Sequence, residues 1–409
     1  MRLRYGCMTQ PSRTLVISAL GVTQIFSWGS SYYLLAVLAK PIATDTGWPL
    51  SLIVGGLSLG LLAGGFASPR IGRIIEARGG RPVLAASSLL LGLGLALLAT
   101  AHHLPLYFAA WLVMGVGMGA GLYDAAFATL GRAYGAEGRS AITTLTLWGG
   151  FASTVCWPIS AYLVESVGWR GTCVAYAVLQ IGLSLPLHWW LMPRVRSRDT
   201  GTSPPAAPAA ALGTGQRRAF LLFAVLVTSG GAIASLISVH LLTFLQARGI
   251  ELAAAVALGA IVGPSQVGAR IVEMAFGRHY HPIWTLTAAT VLIAAGLCFL
   301  ALGLPLVGVA LMLYGAGNGI WSIARGTFPL ALFGATGYAT LMGRLGLPGL
   351  LAQALSPSLA ALLLDRTGPE AVLAVVAGLA VINVALTAML WSVLERSDAP
   401  LPAKETPNA

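Results

Sequence analysis

Charge is scarce in this chain. Among 409 residues there are 24 Lys and Arg and 13 Asp and Glu, so charged types make up 9%, against roughly a quarter in a soluble domain. So few charges cannot solvate a soluble globule of this length, which excludes a soluble enzyme. Cysteine is also rare. Cys7, Cys156, Cys173 and Cys298 stand far apart with no CxxC or metal-ligand spacing, which excludes a disulfide framework and gives no sign of a metal centre or other cofactor. No P-loop, paired acids or nucleophile-base arrangement occurs at membrane depth, so an ATPase has no basis and a membrane enzyme or sensor is disfavoured.

Hydrophobic residues are abundant: they form 57% of the chain, and the mean hydropathy is +0.81. They fall in runs near 20 residues, the length a helix needs to cross a ~30 Å hydrocarbon core, rather than the alternating ten-residue segments of an outer-membrane barrel. Twelve such runs are found near 14–38, 50–71, 81–101, 105–127, 141–164, 169–191, 219–246, 252–274, 282–303, 305–323, 339–363 and 370–393. The expected fold is therefore all-α and integral to the membrane. The net charge of +11 is topological. Lys40, Arg170, Arg248 and Arg366 lie toward the odd-numbered loops, while the other twenty Lys and Arg lie toward the termini and even-numbered loops. By the positive-inside rule both termini are cytoplasmic, and no nucleic-acid partner is implied.

Residues 193–218, rich in Ala, Pro, Ser, Gly and Arg, read as a cytoplasmic linker between an N-terminal six-helix bundle (1–192) and a C-terminal one (219–396). Residues 397–409 read as a disordered tail. The halves repeat each other. An offset of 200 pairs Pro82 with Pro282, Leu104-Pro105-Leu106 with Leu304-Pro305-Leu306, and Gly115, Gly117 and Gly119 with Gly315, Gly317 and Gly319. An offset of 197 pairs Arg73 and Glu76 with Arg270 and Glu273. Twelve helices as two pseudo-symmetric six-helix bundles are a transporter signature, with solute held near the midplane.

The chain resembles the major facilitator superfamily. Gly72, Glu76, Gly79 and Arg81 stand close to the family signature G-x-x-x-D-R-x-G-R-R, with Glu76 for its Asp and Ala77 for its first Arg. The resemblance implies that Glu76 meets an arginine at the end of the fourth span, here Arg132, to lock the cytoplasmic gate. Gly47-Trp48-Pro49 and Gly168-Trp169-Arg170 are similar to the monocarboxylate-transporter-like branch. That branch carries an Asp and, four residues later, a substrate-binding Arg where Gln266 and Arg270 stand here. The internal repeat instead equates Arg270 with Arg73 at the loop. The two registers disagree, and the loop register makes Arg270 structural.

Ionisable groups within spans are costly and face a cavity or a partner. Asp124 follows Pro105 by nineteen residues and Arg325 follows Pro305 by twenty, so both reach one depth in the cytoplasmic third of the fourth and tenth spans. We expect a gating or coupling ion pair between the halves. Gln24, Trp28, Tyr32 and Tyr33 in the first span, Asn318 and Trp321 in the tenth, and His240 in the seventh would line a neutral, aromatic cavity, with Arg270 a further candidate. The function expected is a secondary transporter of the inner membrane, working as a monomer in the lipid bilayer. It would move a small organic anion such as a monocarboxylate by alternating access, coupled to protons in symport. Proton-driven efflux of a drug or toxic compound is the alternative.

Overall fold

The computed structural model describes residues 11–193 and 214–396. The tail lies outside the described residues, as does all of the linker except Pro193 and Thr214–Arg218, where Thr214 already opens a helix. Every regular element among the described residues is helical. Fifteen α-helices are formed: α1 (Arg13–Gly29), α2 (Leu34–Thr46), α3 (Leu50–Arg78), α4 (Gly80–Ala99), α5 (Leu104–Gly121), α6 (Tyr123–Tyr134), α7 (Gly138–Gly150), α8 (Ala152–Leu179), α9 (Thr214–Gln246), α10 (Leu252–Ala260), α11 (Val262–Phe276), α12 (Pro282–Ala301), α13 (Val307–Phe333), α14 (Tyr338–Thr367) and α15 (Pro369–Arg396). Two π-helical turns, Gln180–Ser184 and Leu187–Leu191, continue α8.

Ten helical stretches among the described residues are long and apolar enough to cross a membrane. One of them, Gly138–Leu191, has 54 residues, about twice what a crossing requires. It turns at Gly168, whose φ of 71° and ψ of 175° interrupt the helix. A further crossing is broken into α1 and α2 by the turn at Ser30–Tyr33. With these two observations the helices match the twelve spans of the sequence reading.

Glycine packing shows the repeat in three dimensions. A Cβ on Gly115 would lie 2.1 Å from Gly60 O, and one on Gly119 2.9 Å from Gly64 O, both in α3. In the second half Gly315 and Gly319 press on Val262 O and Gln266 O of α11 at 2.8 and 2.5 Å. Gly117 meets Leu91 of α4, and Gly317 meets Ile293 of α12. Small residues allow such helices to approach backbone to backbone. The contacts correct one expectation: they equate Gln266 with Gly64, so Arg270 is equivalent to Ser68 and not to Arg73.

The halves meet toward the end that bears both termini. There α3 runs beside α14, α6 packs on α14, and α7 packs on α11 and α13. Toward the opposite, distal end the main packing partners of α8 are α1, α2 and α4, and those of α10 are α9, α11 and α13, each within its own half.

Candidate functional site

Four crossings break near mid-depth: at Ser30–Tyr33, Leu122, Phe151 and Ile261. Such breaks free backbone groups that must find partners away from water. At Leu122, where the chain is extended (φ −78°, ψ −170°), the Gln24 side-chain amide donates to Gly121 O at 2.6 Å. Gln24 Oε1 accepts from Trp28 Nε1 at 3.2 Å. Gln24 is thus fully buried and repairs the break instead of lining a cavity. It also sets the orientation of Trp28.

The first turn of α6 beyond this break holds Tyr123 and Asp124. A carboxylate in the first turn of a helix is favoured by the helix dipole. Asp124 Oδ2 accepts from Arg325 Nη2 of α13, an ion pair between the halves whose side chains are 14% and 19% exposed. Asp124 Oδ1 is buried with no hydrogen-bond partner among the described residues. The pair lies in the wall of a central cavity, which Trp28, Tyr32, Tyr123, Leu350 and Gln353 also line. The wall is aromatic. Trp28 packs on Tyr32, Tyr33 and Tyr123 with centroids 5.4, 5.8 and 5.1 Å apart, and Tyr33 on Trp157 at 6.2 Å.

Arg270 lies directly behind this wall. It is 5% exposed, and its guanidinium donates to Gly319 O, Thr146 O and Gln266 Oε1, each at 3.3 Å. None of these acceptors is a carboxylate. Tyr123 Oη donates to the same Thr146 oxygen at 3.4 Å, so hydroxyl and guanidinium meet on one carbonyl. Gly149 and Gly150 make this approach possible. A Cβ at Gly149 would lie 2.1 Å from Tyr123 Oη, and one at Gly150 2.2 Å from Arg270 Nη1. Arg270 therefore sits at membrane depth, which overturns the loop register.

Nearer the termini the halves are tied twice more. Arg132 donates to Glu76 at 3.2 Å, and Glu76 also accepts from the N–H groups of Gly337 and Ala339 at 3.3 and 3.2 Å, at the start of α14. Arg139, at the start of α7, donates to Gly277 O at 2.6 Å and Tyr280 O at 2.7 Å.

The remaining candidates lie elsewhere. His240 bonds Pro357 O at 3.0 Å, within the second half. Asn318 and Trp321 lie within the second half beside Gly230, Thr290 and Asn383, apart from the cavity wall. The sequence reading missed Tyr123, Gln353, Arg139 and His188. Adjacency to Asp124 was an available signal for Tyr123. His188 is fully buried, with Nε2 2.9 Å from Thr23 Oγ1 and Nδ1 2.9 Å from Ser88 Oγ. Thr23 gives its proton to Leu20 O, so His188 donates to Thr23 from Nε2. It ties the end of its crossing to α1 and α4.

Two helical bundles related by an internal repeat, broken helices at mid-depth and a charged cavity between the halves define a solute carrier of the membrane. The sequence pattern of the Major Facilitator Superfamily matches residues 20–346, and the chain belongs to that family. Monocarboxylate transporter 11 of Mus musculus is 29% identical over 352 residues, covering 80% of this chain and 74% of the relative. The solved human organic anion transporter MFSD10 (TETRAN) superposes with a TM-score of 0.68 at 17% identity, over 92% of this chain and all of the other. The transporter FucP in its outward conformation superposes with a TM-score of 0.70 at 14% identity, over 91% and 98%. These solved structures share the fold. The chain is a transporter and not an enzyme.

Proposed function

We propose that the chain is a proton-coupled secondary transporter that moves a small organic anion, a monocarboxylate, across the plasma membrane of a bacterial-type cell by alternating access. The observation that carries this reading is Arg270: a buried cation with carbonyl and amide partners but no carboxylate. An embedded charge is costly unless it serves a counter-ion, and a planar guanidinium matches a carboxylate in bidentate geometry. The likeness to Monocarboxylate transporter 11 supports the same solute class.

The charge distribution supports placing both termini in the cytoplasm, which makes the end where the halves meet the cytoplasmic side and the present conformation outward-facing. Asp124–Arg325 and Glu76–Arg132 then act as cytoplasmic gates. Asp124 is the coupling acid: its second oxygen is unpartnered and its carboxylate faces the cavity, so protonation there weakens the hold on Arg325. Arg270 reaches Thr146 from the other half. An arriving carboxylate competes with that carbonyl and loosens a link between the halves.

The test is counterflow of labelled monocarboxylates into proteoliposomes holding the full chain, followed by uptake under an imposed pH gradient. Counterflow, accumulation driven by acid outside, and loss of both in Arg270→Gln are expected. Failure to exchange any monocarboxylate would overturn the solute class. Exchange indifferent to the gradient would overturn proton coupling.

A further inference from the structure

A polar seam runs through the first half, between α1 and the π-helical end of the sixth crossing. His188 Nε2 lies 2.9 Å from Thr23 Oγ1, and Gln180 Nε2 donates to Ser30 Oγ at 2.9 Å. The two segments therefore run antiparallel. Ser27 stands one turn beyond Thr23 and Ser184 one turn before His188, so the register sets Ser27 opposite Ser184. α1 packs on both π-helical turns, and so does α4. All six side chains of this three-rung ladder are buried, and none is a carboxylate or an ammonium group.

The outer rungs are closed and the middle one is not. Ser27 Oγ, Ser184 Oγ and Gln180 Oε1 are buried with no hydrogen-bond partner among the described residues. The neighbouring hydroxyls of Thr23, Ser31 and Ser87 give their protons to carbonyl oxygens three or four residues back, a common outlet for a hydroxyl inside a helix. Ser27 and Ser184 use no such outlet, so their hydroxyls point away from their own backbones. A histidine and a glutamine span the outer rungs, and two serines are too short to span the same separation. Buried polar groups are ordinarily paired, and the fold does not require polar residues here. The corresponding contact in the second half is α9 on α15. There Ser229 donates directly to Asn383, Thr387 spends its proton on Asn383 O, and Leu226, Ile233 and Ala380, a turn away, are apolar and buried.

We propose that the middle rung binds a water molecule, which bridges α1 to the sixth crossing within the first half. The water accepts the protons of Ser27 and Ser184 and donates one of its own to Gln180 Oε1. Three hydrogen bonds are what a buried water ordinarily makes. A metal cation would leave both hydroxyl protons without an acceptor, and it would meet no carboxylate at a depth where charge is costly. The bridge secures α1, whose adjoining face carries Trp28 of the cavity wall. The site is independent of the solute transported.

The experiment measures thermal melting of the purified full chain in lipid nanodiscs, for wild type, Ser27→Ala, Ser184→Ala and the double variant. A dry, orphaned hydroxyl is a burden, so its removal would leave the melting temperature unchanged or raise it. With the water bound, each single variant should melt about 1–3 °C lower. The double variant should fall no further than the larger single loss, because both hydroxyls act through one bridge. Replacing Na⁺ by choline in the buffer should leave the wild-type melting temperature unchanged. A map of the wild type that resolves ordered water should show one within hydrogen-bond distance of all three oxygens, whether or not the variants fold. Single variants as stable as wild type or more so, or losses that add, would remove the bridge. A direct Ser27–Ser184 hydrogen bond in that map would do the same, and a melting temperature that depends on Na⁺ would assign the site to a cation instead.

Discussion

Asp124 holds Arg325 across the two halves through one carboxylate oxygen, while the other oxygen is buried without a partner. The pair is four-fifths or more shielded, so breaking it strands a charge in a partly dry site, at a cost of about 3–5 kcal/mol. A two-state equilibrium moves a hundredfold for roughly 2.7 kcal/mol. Either Asp124→Asn or Arg325→Gln should therefore drive the protein toward the state open at the terminal end. Cysteine labelling from that end, on Ala339→Cys beside Gly72, should rise about tenfold or more. The swap Asp124→Arg with Arg325→Asp should restore part of the protection. A swap no better than the worse single variant, with all three folded, would show that the pair does not hold the halves.

Glu76 and Arg139 make pseudo-equivalent connections with opposite charge. Glu76 stands in the last turn of α3 and binds N–H groups at the start of α14; Arg139 opens α7 and binds carbonyl oxygens after α11. Each is a partly exposed link, worth less than the shielded pair. Glu76→Gln and Arg139→Gln should each raise labelling at the terminal end by about two- to fivefold, and the double variant by roughly the product. A double variant no different from either single would mean that one latch carries the closure alone.

Much of this architecture was legible because it depends on local pattern. Run length gave the crossings, and the Leu-Pro-Leu starts put Asp124 and Arg325 at one depth. The breaks were not legible. Leu122, Phe151 and Ile261 contain no proline, and the stretch at Leu122 is held by Gln24 from another helix, a tertiary effect. The slipped register of Arg270 arose because an Arg-Ile-x-Glu match imitated homology, whereas backbone contacts of Gly315 and Gly319 set the true alignment. His188 was missed because π-helical winding at Gln180–Ser184 and Leu187–Leu191 moves polar residues off the ordinary helical face.

At the distal surface Asp45 accepts from Arg170 and from Trp169 Nε1, the latter at 3.0 Å. The Arg170 contact first, then the indole donor, holds this carboxyl below the usual carboxylate range. A depressed folded-state value contributes stability above the ordinary aspartate pKa of about 3.9 and loses it as pH falls through the folded value. The melting-temperature difference between wild type and Asp45→Asn should be present at neutral pH and vanish in acid. A difference that is flat with pH would assign the effect to packing.

Gly149 and Gly150 let Tyr123 and Arg270 approach the α7 backbone. Gly150→Ala would put a methyl group 2.2 Å from Arg270 Nη1, and the guanidinium must move. Displacements near 1 Å at a binding group can cost about a hundredfold in rate. Transport by Gly150→Ala should fall by about ten- to a hundredfold with normal membrane insertion. Gly55→Ala, with open space around it, should transport normally. Equal activity of the two variants would remove Arg270 from the transport path.

Arg270 itself separates a binding role from a packing role. As a packing group, it ties α11 to α13 through Gly319 and to α7 through Thr146, so any shorter residue should loosen the fold and lower the melting temperature whatever the solute. As the anion site, it should give a graded response in binding. Arg270→Lys keeps the charge but loses the planar fork, so anion affinity should fall about tenfold while some transport remains. Arg270→Gln keeps hydrogen bonding and removes the charge, so a buried cation without a carboxylate partner disappears and the fold should be no less stable. Anion binding should then be lost. The signature is inversion: the variant at least as stable as wild type is the one that cannot bind. If Arg270→Gln melts well below wild type while its remaining folded fraction binds monocarboxylates with unchanged affinity, the guanidinium is a structural strut. The anion must then be held by Arg325, the charged donor in the cavity wall.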